Sequence, residues 1–167
     1  MYILITGGTS GLGFYTALTL AEDQDNKILL IGSNKVKGLK AVEEIIKKTK
    51  NKKIKYLEGD LSSIKQISMI AKNLIKEKFD ILINNAGALY FSRMESIDKI
   101  EKTFALNHLS YFALTNLLLQ NKNIKRGGRI INVASGAHKG IDIDFEDLET
   151  KKNYNGWFVY KKSKLCN

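Results

Sequence analysis

The residues whose types and spacing could do chemistry sit towards the two ends of this chain. Near the start, Thr6-Gly7-Gly8-Thr9-Ser10-Gly11-Leu12-Gly13 carries glycines at Gly-x3-Gly-x-Gly spacing, between an apolar run and a helical pattern. A helix N-terminus offers free N–H groups and the positive end of a dipole, which suits a pyrophosphate. Side chains would block that approach, so glycines are needed where backbone meets phosphate, and they also let helix pack on strand. The spacing is not the Gly-x-Gly-x2-Gly of the common dinucleotide fingerprint, and a tight turn without ligand is the alternative. Near the end stands Tyr160-Lys161-Lys162-Ser163-Lys164. A free tyrosine ionises near pH ~10, so an acid/base working near neutrality needs about three units less, roughly 4 kcal/mol. Lys164 falls at i+4 on the same helix face, and its ammonium favours the tyrosinate. Such a pair is common in any lysine-rich chain, so it needs company.

Between these groups the pattern alternates strand and helix. Residues 2–6, 27–32, 54–58, 79–84 and 129–134 read as short, continuously apolar strands. A helix is expected from about Gly11 to Glu22. Leu39, Val42, Ile45 and Ile46 mark a second helical stripe, and Ile64, Ile67, Ile70, Ala71, Leu74 and Ile75 a third. A long helix is expected from about Asp98 to Leu119, a break at Gly127-Gly128, and a last helix from near Gly156. Buried strands alternating with helices predict an α/β, doubly wound parallel sheet with helices on both faces, in one domain over 1–167. The irregular stretch 135–155 is long enough to be functional.

Composition narrows the function. The net charge of +10 comes mainly from lysines spread over every segment. The arginines are Arg93, Arg126 and Arg129, and no aromatic–basic patch favours a nucleic-acid partner. No apolar run is long enough for a transmembrane segment, and Met1-Tyr2-Ile3-Leu4 begins a strand rather than a signal peptide. One cysteine, Cys166, excludes a disulfide framework and points to a reducing, cytoplasmic setting. His108 and His138 stand alone, so no metal is expected.

Just past the second strand, an acidic residue would bind ribose hydroxyls and repel a 2′-phosphate. The chain has Gly32-Ser33-Asn34-Lys35 there, with Lys37 close by. Ser33 could donate a hydrogen bond and Lys35 or Lys37 could supply charge, which favours NADP, with NAD as the alternative.

Further motifs fall into place in order. Asp60-Leu61 follows the third strand and Asn84-Asn85-Ala86-Gly87 ends the fourth. Asn107 lies in Phe104-Ala105-Leu106-Asn107-His108-Leu109, Ser135 follows the fifth strand, and Tyr160-x3-Lys164 closes the series. With the glycine loop, these make the whole chain resemble the classical short-chain dehydrogenase/reductase family. The resemblance implies a Rossmann fold and an oxidoreductase moving a hydride between NADP(H) and a small-molecule carbonyl or alcohol. It implies acid/base chemistry by Tyr160, Lys164, Ser135 and Asn107. Tyr160 would carry the proton, Ser135 polarise the carbonyl, and Asn107 hold a water in a relay from Lys164 to solvent. It implies cofactor contacts at Thr6, Gly7, Thr9, Ser10, Gly11, Leu12, Gly13, Ser33, Asn34 and Lys37, at Asp60, Leu61, Asn85, Ala86 and Gly87, and at Tyr160 and Lys164. Asn107-His108-Leu109-Ser110-Tyr111-Phe112, Val133-Ala134-Ser135-Gly136-Ala137-His138 and Phe145-Glu146-Asp147-Leu148 resemble the retinol dehydrogenase and protochlorophyllide reductase branch. That branch handles lipophilic carbonyls with NADP. Many of its members carry Arg where Ser33 stands, and another Ser where Ala134 stands. Family members are longer, so the chain is expected to lack a C-terminal part, and a non-catalytic nucleotide-binding fragment is the alternative reading. Homo-oligomerisation of a full-length protein stays open.

Overall fold

Strands that lack polar alternation need cover on both faces. The computed structural model, which describes residues 1–167, shows how it is provided. β1 (Tyr2–Thr6), β2 (Lys27–Gly32), β3 (Ile54–Glu58), β4 (Phe79–Asn84) and β5 (Ile124–Asn132) form one sheet in the order β3-β2-β1-β4-β5. Every pairing is parallel. Successive side chains point to opposite faces. Ile3, Ile5, Ile28 and Leu30 pack with Phe14, Ala17, Ala41 and Ile45 from α1 (Gly11–Leu20) and α2 (Lys35–Thr49). On the other face, Leu4, Leu29, Ile31 and Leu82 meet Ile67 and Ile70 of α3 (Ile64–Asn73). Leu114 and Leu118 of a long helix complete that side. This is the expected doubly wound α/β sheet. The chain runs outward from β1 to β3, then returns to the other side of β1 as β4. That reversal leaves a crevice beyond the C-terminal ends of β1 and β4, where ligands bind in such sheets.

The long helix starts later than its sequence pattern predicts. It comprises α4 (Lys102–Phe104), a π-turn (Ala105–Leu109) and α5 (Ser110–Gln120). Asp98 is not its start, because its carboxylate accepts the Ile64 N–H at 2.6 Å and so serves the beginning of α3. Lys99 then takes a left-handed φ of 65°. Glu101, fully buried, accepts Thr103 N at 2.9 Å and Phe104 N at 2.7 Å and opens the helix itself.

β5 also differs. The glycine pair does not precede the strand but lies within it, at an irregularity in the pairing between Phe79 and Ile81 of β4. Gly127 has φ +80°, and a Cβ on Gly128 would come within 2.9 Å of the Asp80 carbonyl. The backbone bulges there instead of breaking. In α2 the buried face is Gly38, Ala41 and Ile45, and Leu39 is exposed, because Gly38 is the residue that lets Tyr56 of β3 lie against the helix. α1 ends at Leu20, short of Glu22, and α3 at Asn73, so Ile75 is exposed. α6 (Gly156–Leu165) starts where expected. No helix is long and apolar enough to cross a membrane.

Gly13 sits where α1 crosses β1. A Cβ there would run into the Gly7 carbonyl and the Asn85 amide. Gly13→Ala should therefore lower the stability of the chain by about 1–3 kcal/mol, as overpacking does, read as a lower urea midpoint at unchanged m-value. An unchanged midpoint would mean that α1 can slide on the sheet.

Candidate active site

A cleft of about 600 Å³ opens at the C-terminal ends of the strands. Its floor is made by a junction between β1 and β4. Thr6 is buried, and its Oγ1 accepts Asn85 N at 2.9 Å and Ala86 N at 3.0 Å. Asn85 returns the bond, with Nδ2 donating to the carbonyls of Thr6 at 3.0 Å and Gly7 at 3.2 Å. Gly7 takes φ +65°, and a Cβ on it would lie 2.8 Å from Ala86 Cα. The glycine loop is thus pressed against β4 so closely that neither Gly7 nor Gly13 has room for a side chain.

The loop leads into α1, whose start differs from its neighbours. Asn34 accepts Lys37 N in α2, Ser63 accepts Gln66 N in α3, and Asn155 accepts Phe158 N in α6. Ser10 makes no such bond in α1. Its first-turn N–H groups are left without a side-chain cap, beside Gly11, around which a Cβ would meet nothing within 4 Å. An uncapped helix start, a glycine in open space and a positive dipole end form a cradle that fits a phosphate pair.

The other wall is built by β5 and α6. Ser135, Tyr160 and Lys164 line the cleft with Gly7, Thr9, Ser10, Gly11, Leu12, Ser33, Asp60, Leu61, Asn85, Ala86 and Gly87. The sequence reading missed further lining from Ser62, Leu89, Tyr90, Lys102, Leu106 and Val133; nothing in their periodicity separates them from ordinary loop and helix positions. Lys164 is buried, and Nζ donates to the Val133 carbonyl at 3.0 Å, tying α6 to the end of β5. Burial pushes its pKa down from the ordinary lysine value. Ser135 is extended, and its Oγ accepts Ala137 N at 3.2 Å at the start of a 3-10 turn (Gly136–His138). His138 folds back on the Ser135 carbonyl, which gives it a structural contact. Trp157 stacks on Tyr160, one turn along α6, with ring centroids 5.6 Å apart and planes 12° off parallel.

Several expected residues do not line this cleft. Thr6 and Gly13 build its floor from behind. Asn34 caps α2. Lys37 faces a neighbouring depression beside Ser10 and Gly11, together with Lys40, a cation outside the motifs.

The sequence profile of the short chain dehydrogenase family matches residues 1–142. The chain belongs to that family. Among its relatives, retinol dehydrogenase 12 of Homo sapiens is 36% identical, over 99% of this chain and 52% of its own length. Retinol dehydrogenase 13 of Homo sapiens is 40% identical, over 98% and 50% respectively. The crystal structure of an uncharacterized protein from Mycobacterium paratuberculosis superposes with a TM-score of 0.86 at 32% identity, over 98% of this chain and 57% of that one. The chain spans about half the length of the curated relatives it matches.

In this member of the family, Asn107 is fully buried behind the cleft. Its side-chain amide donates to the Ala88 carbonyl at 2.9 Å and Ser163 Oγ at 3.0 Å and accepts Ala88 N at 2.8 Å, while its backbone carbonyl accepts Asn167 Nδ2 at 2.9 Å. The side chain is a clamp between the β4 loop and α6, with both amide N–H donors used.

A second clamp was not legible in the sequence, where Lys162 reads as a solvated charge. It is 1% exposed. Its ammonium donates to the carbonyls of Asp147 at 3.2 Å and Leu148 at 2.7 Å and to Thr150 Oγ1. Tyr154 donates to the Tyr90 carbonyl at 2.9 Å, and Gly156 lies against the backbone of Tyr90 and Phe91. The irregular segment 139–155 is thereby pinned to α6 and to the loop after β4. Lys162→Met would strand three acceptors, each worth about 1–3 kcal/mol when buried unpaired. Limited chymotrypsin digestion should cut near Tyr154 at least several-fold faster in the variant, with the sheet protected as before. Equal cleavage rates would show that the segment is held by other contacts.

Proposed function

We propose that this chain is the cofactor-binding and acid/base part of an NADP-dependent oxidoreductase that interconverts lipophilic carbonyls and alcohols. One observation carries the reading: Ser135, Tyr160 and Lys164 line the same cleft as the uncapped, glycine-lined start of α1. When bound, the nicotinamide dinucleotide supplies or accepts the hydride. The chain's own residues must hold the substrate oxygen and move a proton. Tyr160 gives its phenolic proton to the carbonyl oxygen in reduction and takes it back in oxidation. Lys164, on the same face of α6, favours the tyrosinate by its charge. Ser135 Oγ donates to the carbonyl oxygen and polarises it. Asn107 positions the β4 loop and α6 relative to each other; a water relay from Lys164 would have to use the remaining lone pair of its carbonyl.

The Thr9–Leu12 turn holds the pyrophosphate, and Asp60, Leu61 and the Asn85–Gly87 stretch border the adenosine half. Lys37 and Lys40, beside the start of α1, supply positive charge for a 2′-phosphate. The lipophilic substrate class is supported by Leu89, Leu106 and Val133 in the cleft, by the Trp157–Tyr160 stack, and by relatives named for retinol. A single cysteine fits a reducing, cytoplasmic location. The test is NADPH oxidation with a panel of lipophilic aldehydes; nucleotide binding without turnover would leave a binding module in place of an enzyme.

Cofactor choice follows from charge. NADPH should bind at least about tenfold more tightly than NADH, a difference of roughly 1.4 kcal/mol, in calorimetric titrations of both. Equal or better NADH affinity removes the assignment of Lys37 and Lys40. Tyr160→Phe keeps the ring and removes one hydroxyl. Turnover should fall by at least about 10²-fold while cofactor affinity hardly changes. Near-normal turnover would place the proton on another group.

A further inference from the structure

Lys164 is a buried cation with no carboxylate against it. It is 5% exposed. One of its three N–H donors is accounted for by the Val133 carbonyl. Two aromatic rings and the backbone at Gly87 also border it: the ring centroid of Tyr111 lies 5.4 Å from Nζ and that of Tyr160 5.9 Å. Tyr111 comes from α5, is 3% exposed, and its hydroxyl is buried with no hydrogen-bond partner. The hydroxyl therefore takes no part in holding Lys164; what Tyr111 turns toward the ammonium is its ring. Burial, with Tyr160 adding to it, holds the Tyr111 phenol well above the ordinary tyrosine pKa. The ring therefore stays neutral, and its face keeps the partial negative charge that attracts an ammonium.

The other titratable groups around Lys164 do not replace this contact. Asp60 and Lys102 line the same cleft. His108 on the π-turn pairs with Asn167, and His138 on the 3-10 turn is held to the Ser135 carbonyl. Tyr160 is the remaining group, on Lys164's own helix. Burial lowers the Lys164 pKa from the ordinary lysine value.

We propose that Tyr111 is a positioning residue for Lys164: its ring face, together with the Val133 carbonyl, keeps the ammonium charged and in place in the wall of the cleft. The consequence for catalysis rests on the reading of Lys164 as the cation that activates Tyr160. The contact itself does not, so it is tested on Lys164 directly. The chain is prepared with lysine labelled at 13Cε, and the Lys164 resonance is assigned by its loss in Lys164→Arg. Its protonation midpoint is then followed by NMR as pH is raised. In Tyr111→Phe, which keeps the ring, the midpoint should stay close to that of the parent chain. In Tyr111→Leu it should fall by about half to one pH unit, the size of a desolvated cation–π contact. An unchanged midpoint in the leucine variant, or an equal fall in the phenylalanine variant, overturns the proposal. Should Tyr111→Leu not fold, phenylalanines carrying increasing numbers of ring fluorines are placed at 111. They preserve shape while draining the ring face of charge. A stepwise fall with fluorine number is expected, and a flat series also overturns the proposal. Absence of turnover in the parent chain would count against the proposed function and leave these midpoints readable.

Discussion

The exchange of hydrogen bonds between Thr6 and Asn85 is the constraint on which the site depends. β1 and β4 are far apart in sequence, and their ladder ends before the crevice begins. Beyond that point the Thr6 and Gly7 carbonyls and the Asn85 and Ala86 N–H groups are no longer joined by the β1–β4 ladder, and an unpaired buried amide is expensive. Thr6 Oγ1 takes both N–H groups of the β4 side, and the Asn85 amide takes both carbonyls of the β1 side. The two strand ends are locked at one separation. Gly7 and Gly13 then follow as necessities, because the lock leaves no room for a Cβ at either.

From this junction the geometry propagates outward. Asn84, fully buried just before it, donates to Thr115 Oγ1 at 3.0 Å and Asn132 Oδ1 at 2.9 Å, which fixes the ends of β4 and β5 relative to α5. Val133 N then bonds the Asn84 carbonyl at 2.9 Å, and its own carbonyl receives Lys164. The base of α6 is held by polar contacts rather than by a broad apolar face: its buried side chains include Lys162, Ser163 and Lys164 beside Val159. A helix so placed is oriented by directional bonds, each tolerant of only a small angular error, which suits an element that has to aim a phenol and an ammonium into one cleft.

How much of this was legible in the sequence depended on whether a residue's environment is local. The strands announce themselves, because burial on both faces demands continuous apolar runs, and four of the five have the bounds their composition predicts. β5 departs from its expected bounds because a glycine pair usually interrupts a strand, and only the partner β4 reveals that the chain bulges and continues. The long helix begins past Asp98 because that carboxylate serves α3 instead, which is a tertiary fact. Within the site, the glycine loop, Ser135 and the Tyr160–Lys164 pair were readable, since spacing along one element dictates their placement. Asn107 was readable as a position, whereas its work as a clamp was not. Lys162 was opaque: a lysine among lysines gives no sign that its ammonium will be surrounded by carbonyls of a segment a dozen residues upstream.

Trp157 is the one tryptophan in the chain, and its indole lies nearly parallel on the ring of Tyr160. An indole can be excited at wavelengths where neutral phenols do not absorb, and a phenolate absorbs where indole emits. Energy passes readily between rings held in van der Waals contact. The fold has therefore placed an optical gauge against the group proposed to carry the proton. Ionisation of Tyr160 would be written directly into the emission of that indole.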